Sequence, residues 1–165
     1  MTYNPADPAT WSRTAGHSFT IGLDLGFAAD HSALVVGGVW SQAQSAIGII
    51  DIRQFPLGTP MNEVADLAVE TARTYGARIV ADLSNNSAFA ALLAARLGRN
   101  PANHMVAAVI TGANTHAAAP VPMPISLGRV RAAVPRWSLS KAELVETISA
   151  ELDNGSLRIG RTGDW

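Results

Sequence analysis

The chain has 165 residues, a length that favours one domain with a sizeable core. Hydrophobic residues make up 48% of the sequence and charged residues 15%, but no apolar run reaches the roughly 20 residues that a membrane-spanning helix needs. The formal net charge of -1 gives no global attraction for nucleic acid, so DNA binding would depend on a local basic patch. Cysteine is absent, which excludes disulfides and thiolate metal sites and leaves mainly oxygen ligands, the donors that Mg²⁺ and Mn²⁺ prefer.

Two further absences narrow the function classes. Lys141 is the only lysine, and its neighbours do not form the G-x-x-x-x-G-K-[ST] pattern of a phosphate-binding loop. A motor domain of that class is therefore excluded. The first residues show neither a secretory signal nor a transit sequence, and we therefore expect the protein to act in the cytoplasm.

The first third of the chain predicts a leader and three strands. Residues 1–17 are rich in Pro, Ala, Thr and Ser and are expected to form a flexible leader. A buried strand is predicted over residues 19–24, because an apolar run there ends on Asp24 before a glycine-containing turn. The β-rich runs 32–40 and 46–55 predict a hairpin that extends the first strand into an antiparallel meander.

Helices and short strands alternate in the middle of the chain. Pro60 and Gly76 delimit a helical pattern with one apolar face. A short apolar strand then ends on Asp82, and Asn86 or Ser87 can cap a second helix. The predicted order is helix 61–75, strand 77–82, helix 87–97 and strand 104–111.

The last part of the chain is harder to assign. Residues 112–137 are rich in Pro, Ala and Gly and predict a long loop, with a hairpin as the alternative. Ser138 or Ser140 caps a third helix, and a short strand follows over residues 156–159. The element order predicts one mixed α/β domain over residues 18–165. Its central sheet should begin as an antiparallel meander and continue with parallel strands, flanked by helices.

Two acids stand out because each ends a predicted central strand. If the strands of Asp24 and Asp82 are neighbours, the two carboxylates emerge side by side at one edge of the sheet. Two divalent ions about 3.5–4 Å apart, held by such oxygens, can activate water and stabilise the leaving oxygen of a phosphodiester. The alternative is local, with Asp24 forming a turn at its strand end and Asp82 capping the following helix.

The residues around these acids resemble one known family, the nuclease domain of phage terminase large subunits. Residues 21–26 (IGLDLG) and 30–36 (DHSALVV) are similar to the opening of that domain, where a strand-end acid is followed by a second aspartate. Residues 79–82 (IVAD) with the helix after them resemble its second acidic strand. Residues 109–112 (VITG) and 140–145 (SKAELV) resemble its later strand and its lysine-led helix.

The resemblance implies a ribonuclease H-like fold and a metal-dependent endonuclease that cuts concatemeric viral DNA during packaging. It makes Asp24 the metal-bridging acid, Asp82 the second ligand and Asp30 an auxiliary ligand, with Mg²⁺ or Mn²⁺ as cofactor. The implied partners are double-stranded DNA, the terminase ATPase domain, the small terminase subunit and the portal. The implied location is the cytoplasm of a bacterial host, with no membrane contact.

The chain departs from the family pattern in two places. The glycine-rich turn that usually follows the second acid is replaced by residues 84–87 (SNNS), which we expect to alter the approach of the phosphate. A third acid is expected on a helix beyond the last strand, where Asp164 is the only acid. We therefore expect a domain that is incomplete at its C-terminus, as a truncated, degenerate or partner-completed nuclease.

Four basic residues are candidates for contact with DNA. Arg129, Arg131 and Arg136 lie in the predicted loop, where they suit phosphate contact but are equally typical of a solvated surface. Lys141 is either an ordinary first-turn helix residue or a further phosphate contact.

Two other function classes fit the same pattern. A catalytically inactive packaging or interaction module would keep the fold and lack the third acid. An actin-like or sugar-kinase nucleotide-binding module shares the residues 21–26 and the sheet topology, although such proteins need a second domain to enclose the nucleotide. Metal titration separates the classes, because only a nuclease site should bind Mn²⁺ through Asp24 and Asp82 without nucleotide.

Overall fold

The computed structural model describes residues 17–26, 29–40, 47–84, 86–112, 118–127 and 130–159. The predicted leader lies outside these ranges except for His17, which begins the first strand. A 3₁₀ turn at Pro101–Asn103 precedes the fifth strand. The strands and α-helices of the described ranges are β1 (His17–Asp24), β2 (Ala33–Trp40), β3 (Ile47–Gln54), α1 (Met61–Tyr75), β4 (Arg78–Asp82), α2 (Ser87–Leu97), β5 (Met105–Thr111), β6 (Val121–Leu127), β7 (Val130–Ser140), α3 (Lys141–Asp153) and β8 (Leu157–Ile159).

These strands join one mixed sheet in the order β6-β7-β5-β4-β1-β2-β3-β8. β1, β2 and β3 form the predicted antiparallel meander. β4 lies parallel to β1, and β5 and β7 continue the sheet in the same direction. The predicted fold class, a meander followed by parallel strands and flanked by helices, is therefore confirmed.

The hydrophobic core lies between one face of this sheet and the helices α1 and α2. Burial alternates along β1, where Ile21 and Leu23 are buried and Asp24 is exposed. Val64 of α1 and Phe89 of α2 belong to the same buried cluster. Because successive strand side chains point to opposite faces, the exposed residues of β1 lie on the face away from these helices.

Local signals fix the helix ends. Gly76 ends α1 with a φ of 58°, in the left-handed region that favours glycine. At the start of α2 the Asn86 Oδ1 accepts a hydrogen bond from the Phe89 N–H at 2.9 Å. The Ser140 Oγ accepts one from the Glu143 N–H at 3.4 Å at the start of α3. These predicted helix boundaries are confirmed.

The prediction of a long loop over residues 112–137 is wrong, and the hairpin alternative is correct. β6 pairs antiparallel over its whole length with residues 130–136 of β7, with Pro122 opposite Pro135. Neither proline has an N–H, so the two can face each other only at a position where the paired residues exchange no backbone hydrogen bonds. Pro122 and Pro124 lie on β6, an edge strand, where a missing donor costs no bond to a neighbouring strand.

Helix α3 differs from α1 and α2 because none of its residues is buried. Its apolar residues Val145, Ile148 and Leu152 are 56%, 53% and 49% exposed. A helix that buries so little apolar surface adds little to the stability of the core. Among the described helices, none has both the length and the apolar character of a membrane span.

Candidate metal centre

The ends of β1 and β4 bring two predicted site residues together. The strands are parallel neighbours, with Leu23 opposite Ala81 as the last pair of their ladder. One residue further along each strand are Asp24 and Asp82, the final residues of β1 and β4. Because neighbouring strands are about 4.8 Å apart, the two acids leave the sheet side by side and at the same level.

Both acids also lie on the same face of the sheet. The residues before them, Leu23 and Ala81, are buried in the core under α1 and α2. Since side chains alternate along a strand, Asp24 and Asp82 lie on the opposite face. Asp24 is exposed and Asp82 is half-buried. Two adjacent carboxylates that reach solvent are a donor set suited to a hard divalent cation.

The carboxylate of Asp82 is held at one of its two oxygens. Its Oδ1 accepts hydrogen bonds from the backbone N–H of Ser84 at 2.9 Å and from the Ser84 hydroxyl at 2.5 Å. Across the described ranges, Oδ2 of Asp82 and the Asp24 carboxylate accept no hydrogen bond. Within the described ranges, three carboxylate oxygens of the pair are therefore open to a ligand.

The loop after β1 folds back tightly on itself. The Gly26 N–H donates to the Ser32 Oγ at 3.1 Å. The His31 Nδ1 lies 2.7 Å from the Phe55 carbonyl oxygen. Because a carbonyl only accepts, Nδ1 donates this hydrogen bond. The loop is thus tied to the residue that follows β3, and it returns Asp30 to Gly26, two residues beyond Asp24.

We expect Gly26→Ala to destabilise this loop. A Cβ at Gly26 would lie 2.2 Å from the Asp30 carbonyl oxygen and 2.5 Å from the His31 carbonyl carbon, so the backbone would have to move. The expected loss is about 1–3 kcal/mol of unfolding free energy, measured by urea denaturation, with weaker Mn²⁺ binding. Gly112→Ala is the control, because nothing lies within 4 Å of its Cβ position. Equal denaturation midpoints for the two variants would contradict this account.

The described residues do not supply a third ligand to the pair. No three His, Asp or Glu side chains in these ranges lie close enough to hold one ion together. Asp30 is therefore not gathered into a triad with Asp24 and Asp82, and its role as a ligand stays a prediction. Asp164 lies outside the described residues.

Two of the four predicted DNA contacts lie in β7 and not in a loop. Arg131 is exposed near the start of this strand, beside Arg99 in a depression of about 660 Å³. Because β7, β5, β4 and β1 run in the same direction, the start of β7 lies at the opposite end of the sheet from the acids. Arg136 pairs with Ala107, a buried core residue, and so lies on the helix-covered face.

The remaining observations on the predicted DNA contacts concern Arg136, Lys141 and Arg129. The Nε of Arg136 is buried, without a hydrogen-bond partner in the described part of the chain. Lys141 is exposed in the first turn of α3. Arg129 lies outside the described residues. The structure therefore brings Asp24 and Asp82 together and does not bring Arg131 or Arg136 to them.

Solved structures are similar to this fold. The large terminase nuclease of thermophilic phage G20c matches with a TM-score of 0.54 and 16% identity, over 89% of this chain and 60% of that chain. The Mn-soaked terminase nuclease domain of human cytomegalovirus matches with a TM-score of 0.54 and 14% identity, over 94% and 68%. Its inhibitor-bound form gives 0.55 and 14%, over 87% and 64%. The chain has the fold of a terminase nuclease domain.

The likeness to terminase nucleases is one of fold, since the identities are 14–16%. It confirms the terminase nuclease fold that the sequence resemblance implied. The chain spans less than two thirds of the length of the phage nuclease and of the inhibitor-bound cytomegalovirus domain. A scan against models of protein families and a search of curated proteins return no match.

The sequence places Ser84 and Gly26 in turns but does not predict the contacts that they make beside the two acids. Ser84 follows a strand-end Asp by two positions, which is the spacing of a side-chain turn and is a usable signal. The sequence identifies Gly26 only as part of a turn, because its close approach to the Asp30 backbone depends on how the loop closes.

Proposed function

We propose that the chain is a metal-dependent DNA endonuclease domain of a phage or prophage terminase large subunit. The observation that carries the proposal is the placement of Asp24 and Asp82 at the ends of adjacent parallel strands, on the face away from α1 and α2. The terminase nuclease fold supports it, and two of the matching structures were soaked with Mn. The proposed substrate is concatemeric viral DNA, cut during packaging.

The donor set suits Mg²⁺ or Mn²⁺, which prefer carboxylate oxygens. Asp24 and Asp82 are the proposed ligands, with Asp30 as an auxiliary acid from the neighbouring loop. A bound divalent ion would supply an activated water and stabilise the charge that develops on the phosphate. The role of the protein is to hold these ligands rigidly. The central position of β1 and β4 in the sheet permits this.

DNA affinity is proposed to come from phosphate contacts and not from base reading. Of the four predicted contacts, Arg131 and Lys141 are exposed, Arg136 lies on the helix-covered face, and Arg129 lies outside the described residues. Such contacts position the duplex without sequence preference. The ATPase domain, the small subunit and the portal of a terminase are the proposed partners of assembly, in a bacterial cytoplasm.

We expect the purified chain to nick supercoiled plasmid DNA slowly in Mn²⁺, without sequence preference. The rate should be low because the described site offers two carboxylates to an ion that would take more. The nicking rate should fall as the salt concentration rises from about 50 to about 200 mM. Each phosphate contact releases counterions from the DNA, and added salt opposes this release. The measurement is a nicking time course across this salt series, with EDTA as the metal-free control.

Other outcomes would change either the ligands of the site or the class of the protein. Vigorous nicking would show that Asp30, His31 or Asp164 completes the site. The absence of both Mn²⁺ binding and nicking would favour the inactive packaging or interaction module, and Mn²⁺ binding through Asp24 and Asp82 without nicking would end the nuclease proposal. Mn²⁺ binding that requires ATP would favour the actin-like or sugar-kinase class and end the nuclease proposal.

A further inference from the structure

A short hydrogen-bond chain lies at the end of β4. The backbone N–H of Ile110 in β5 donates to the Ser84 Oγ at 3.0 Å. The Ser84 hydroxyl contacts the Asp82 Oδ1 at 2.5 Å. An amide N–H can only donate and an ionised carboxylate can only accept. The direction of the chain is therefore fixed, and the proton of the Ser84 hydroxyl is committed to Asp82.

This chain restricts the rotation of one carboxylate of the pair. Ser84 donates twice to the same oxygen, through its backbone N–H at 2.9 Å and through its hydroxyl. Oδ2 of Asp82 is left without a hydrogen bond in the described part of the chain. A carboxylate anchored at one oxygen and open at the other is prepared for a cation, because ligands held by outer hydrogen bonds need less ordering on binding.

We propose that Ser84 is a positioning residue that holds the Asp82 carboxylate in its metal-binding orientation. The inference deepens the proposed function and rests on it. Ser84 opens the residues 84–87, which replace the glycine-rich turn of the resembled family. A glycine at position 84 would have no hydroxyl and could not form the link from β5 through residue 84 to the acid.

A simpler role for Ser84 is to stabilise the turn after β4 without affecting the metal. The two roles predict different measurements. A residue that only stabilises the turn affects the unfolding midpoint of the metal-free protein and leaves Mn²⁺ affinity unchanged. A positioning residue affects Mn²⁺ affinity, and a hydroxyl-bearing substitute restores it.

The test compares Ser84→Ala, Ser84→Thr and the control Ser126→Ala, which removes an exposed hydroxyl on the edge strand β6. Mn²⁺ affinity is measured by the electron paramagnetic resonance signal of free Mn²⁺ during titration, and folding by urea denaturation without metal. We expect Ser84→Ala to weaken Mn²⁺ binding about 10–100-fold. Ser84→Thr should restore most of the affinity, and Ser126→Ala should leave it unchanged.

The proposal is overturned if folded Ser84→Ala binds Mn²⁺ as the unaltered chain does, or if folded Ser84→Thr is as weak as Ser84→Ala. Nicking assays on the same proteins keep the two proposals apart. If the unaltered chain binds Mn²⁺ but never nicks DNA, the nuclease assignment fails. The Ser84 proposal is then still decided by the Mn²⁺ affinities of the variants. If the unaltered chain binds no Mn²⁺, both proposals are wrong.

Discussion

Asp24→Asn and Asp82→Asn are each expected to slow plasmid nicking about 100-fold or more, a loss of about 3 kcal/mol of transition-state stabilisation. The amide has the size of the carboxylate but no charge, and it is a poorer ligand for a hard cation. Asp24 is exposed and Asp82 is half-buried, so neither supports the core. Urea denaturation midpoints should therefore change little, and the measurement is the nicking rate at saturating Mn²⁺.

The matched control is Asp153→Asn, which removes an exposed acid at the end of α3. It should nick at the rate of the unaltered chain. If Asp24 and Asp82 serve one centre, the double variant should be no slower than either single variant, because residues that act as a unit are not additive. A single variant that keeps full activity would remove its acid from the proposed site.

Phe89→Ala is expected to cost about 3–5 kcal/mol of unfolding free energy, the range for large cavities in packed cores. Phe89 is 1% exposed and belongs to the core between the sheet and α2. A loss of this size is a large share of the about 5–15 kcal/mol that stabilises a typical domain. Urea denaturation followed by circular dichroism measures it.

Ile148→Ala in α3 is the comparison for Phe89→Ala. Ile148 is 53% exposed, and surface substitutions of this kind usually change stability by about 0.5 kcal/mol or less. The contrast tests the position of the core under α1 and α2. Similar losses for the two variants would mean that α3 packs more tightly than its exposure indicates.

The sequence predicts most elements of the fold because their signals are local. Alternation of apolar residues marks β1, and the helix ends carry their own caps, such as Gly76 and Ser140. The placement of Asp24 and Asp82 at strand ends can also be predicted, since each acid closes an apolar run. The resemblance adds the order of the strands, which brings the two acids together.

The rest depends on contacts between distant parts of the chain. The β6-β7 hairpin is hidden by its prolines. β6 tolerates Pro122 and Pro124 because it is an edge strand, and a strand's position in the sheet is not a local property. Arg136 lies on the helix-covered face because of its pairing with Ala107, which a loop assignment cannot anticipate. The bond from Ile110 to Ser84 likewise requires β5 to lie beside β4.

The prolines of β6 have a further consequence for the outer edge of the sheet. Pro122 faces Pro135 in a pair without backbone bonds, so by alternation the amide positions that point away from β7 are 122, 124 and 126. Positions 122 and 124 are proline and have no N–H, so Ser126 is the one donor among these three positions. The opposite edge, β8, is three residues long. Unpaired edges invite strands from other molecules, and both edges of this sheet offer a poor template for such aggregation.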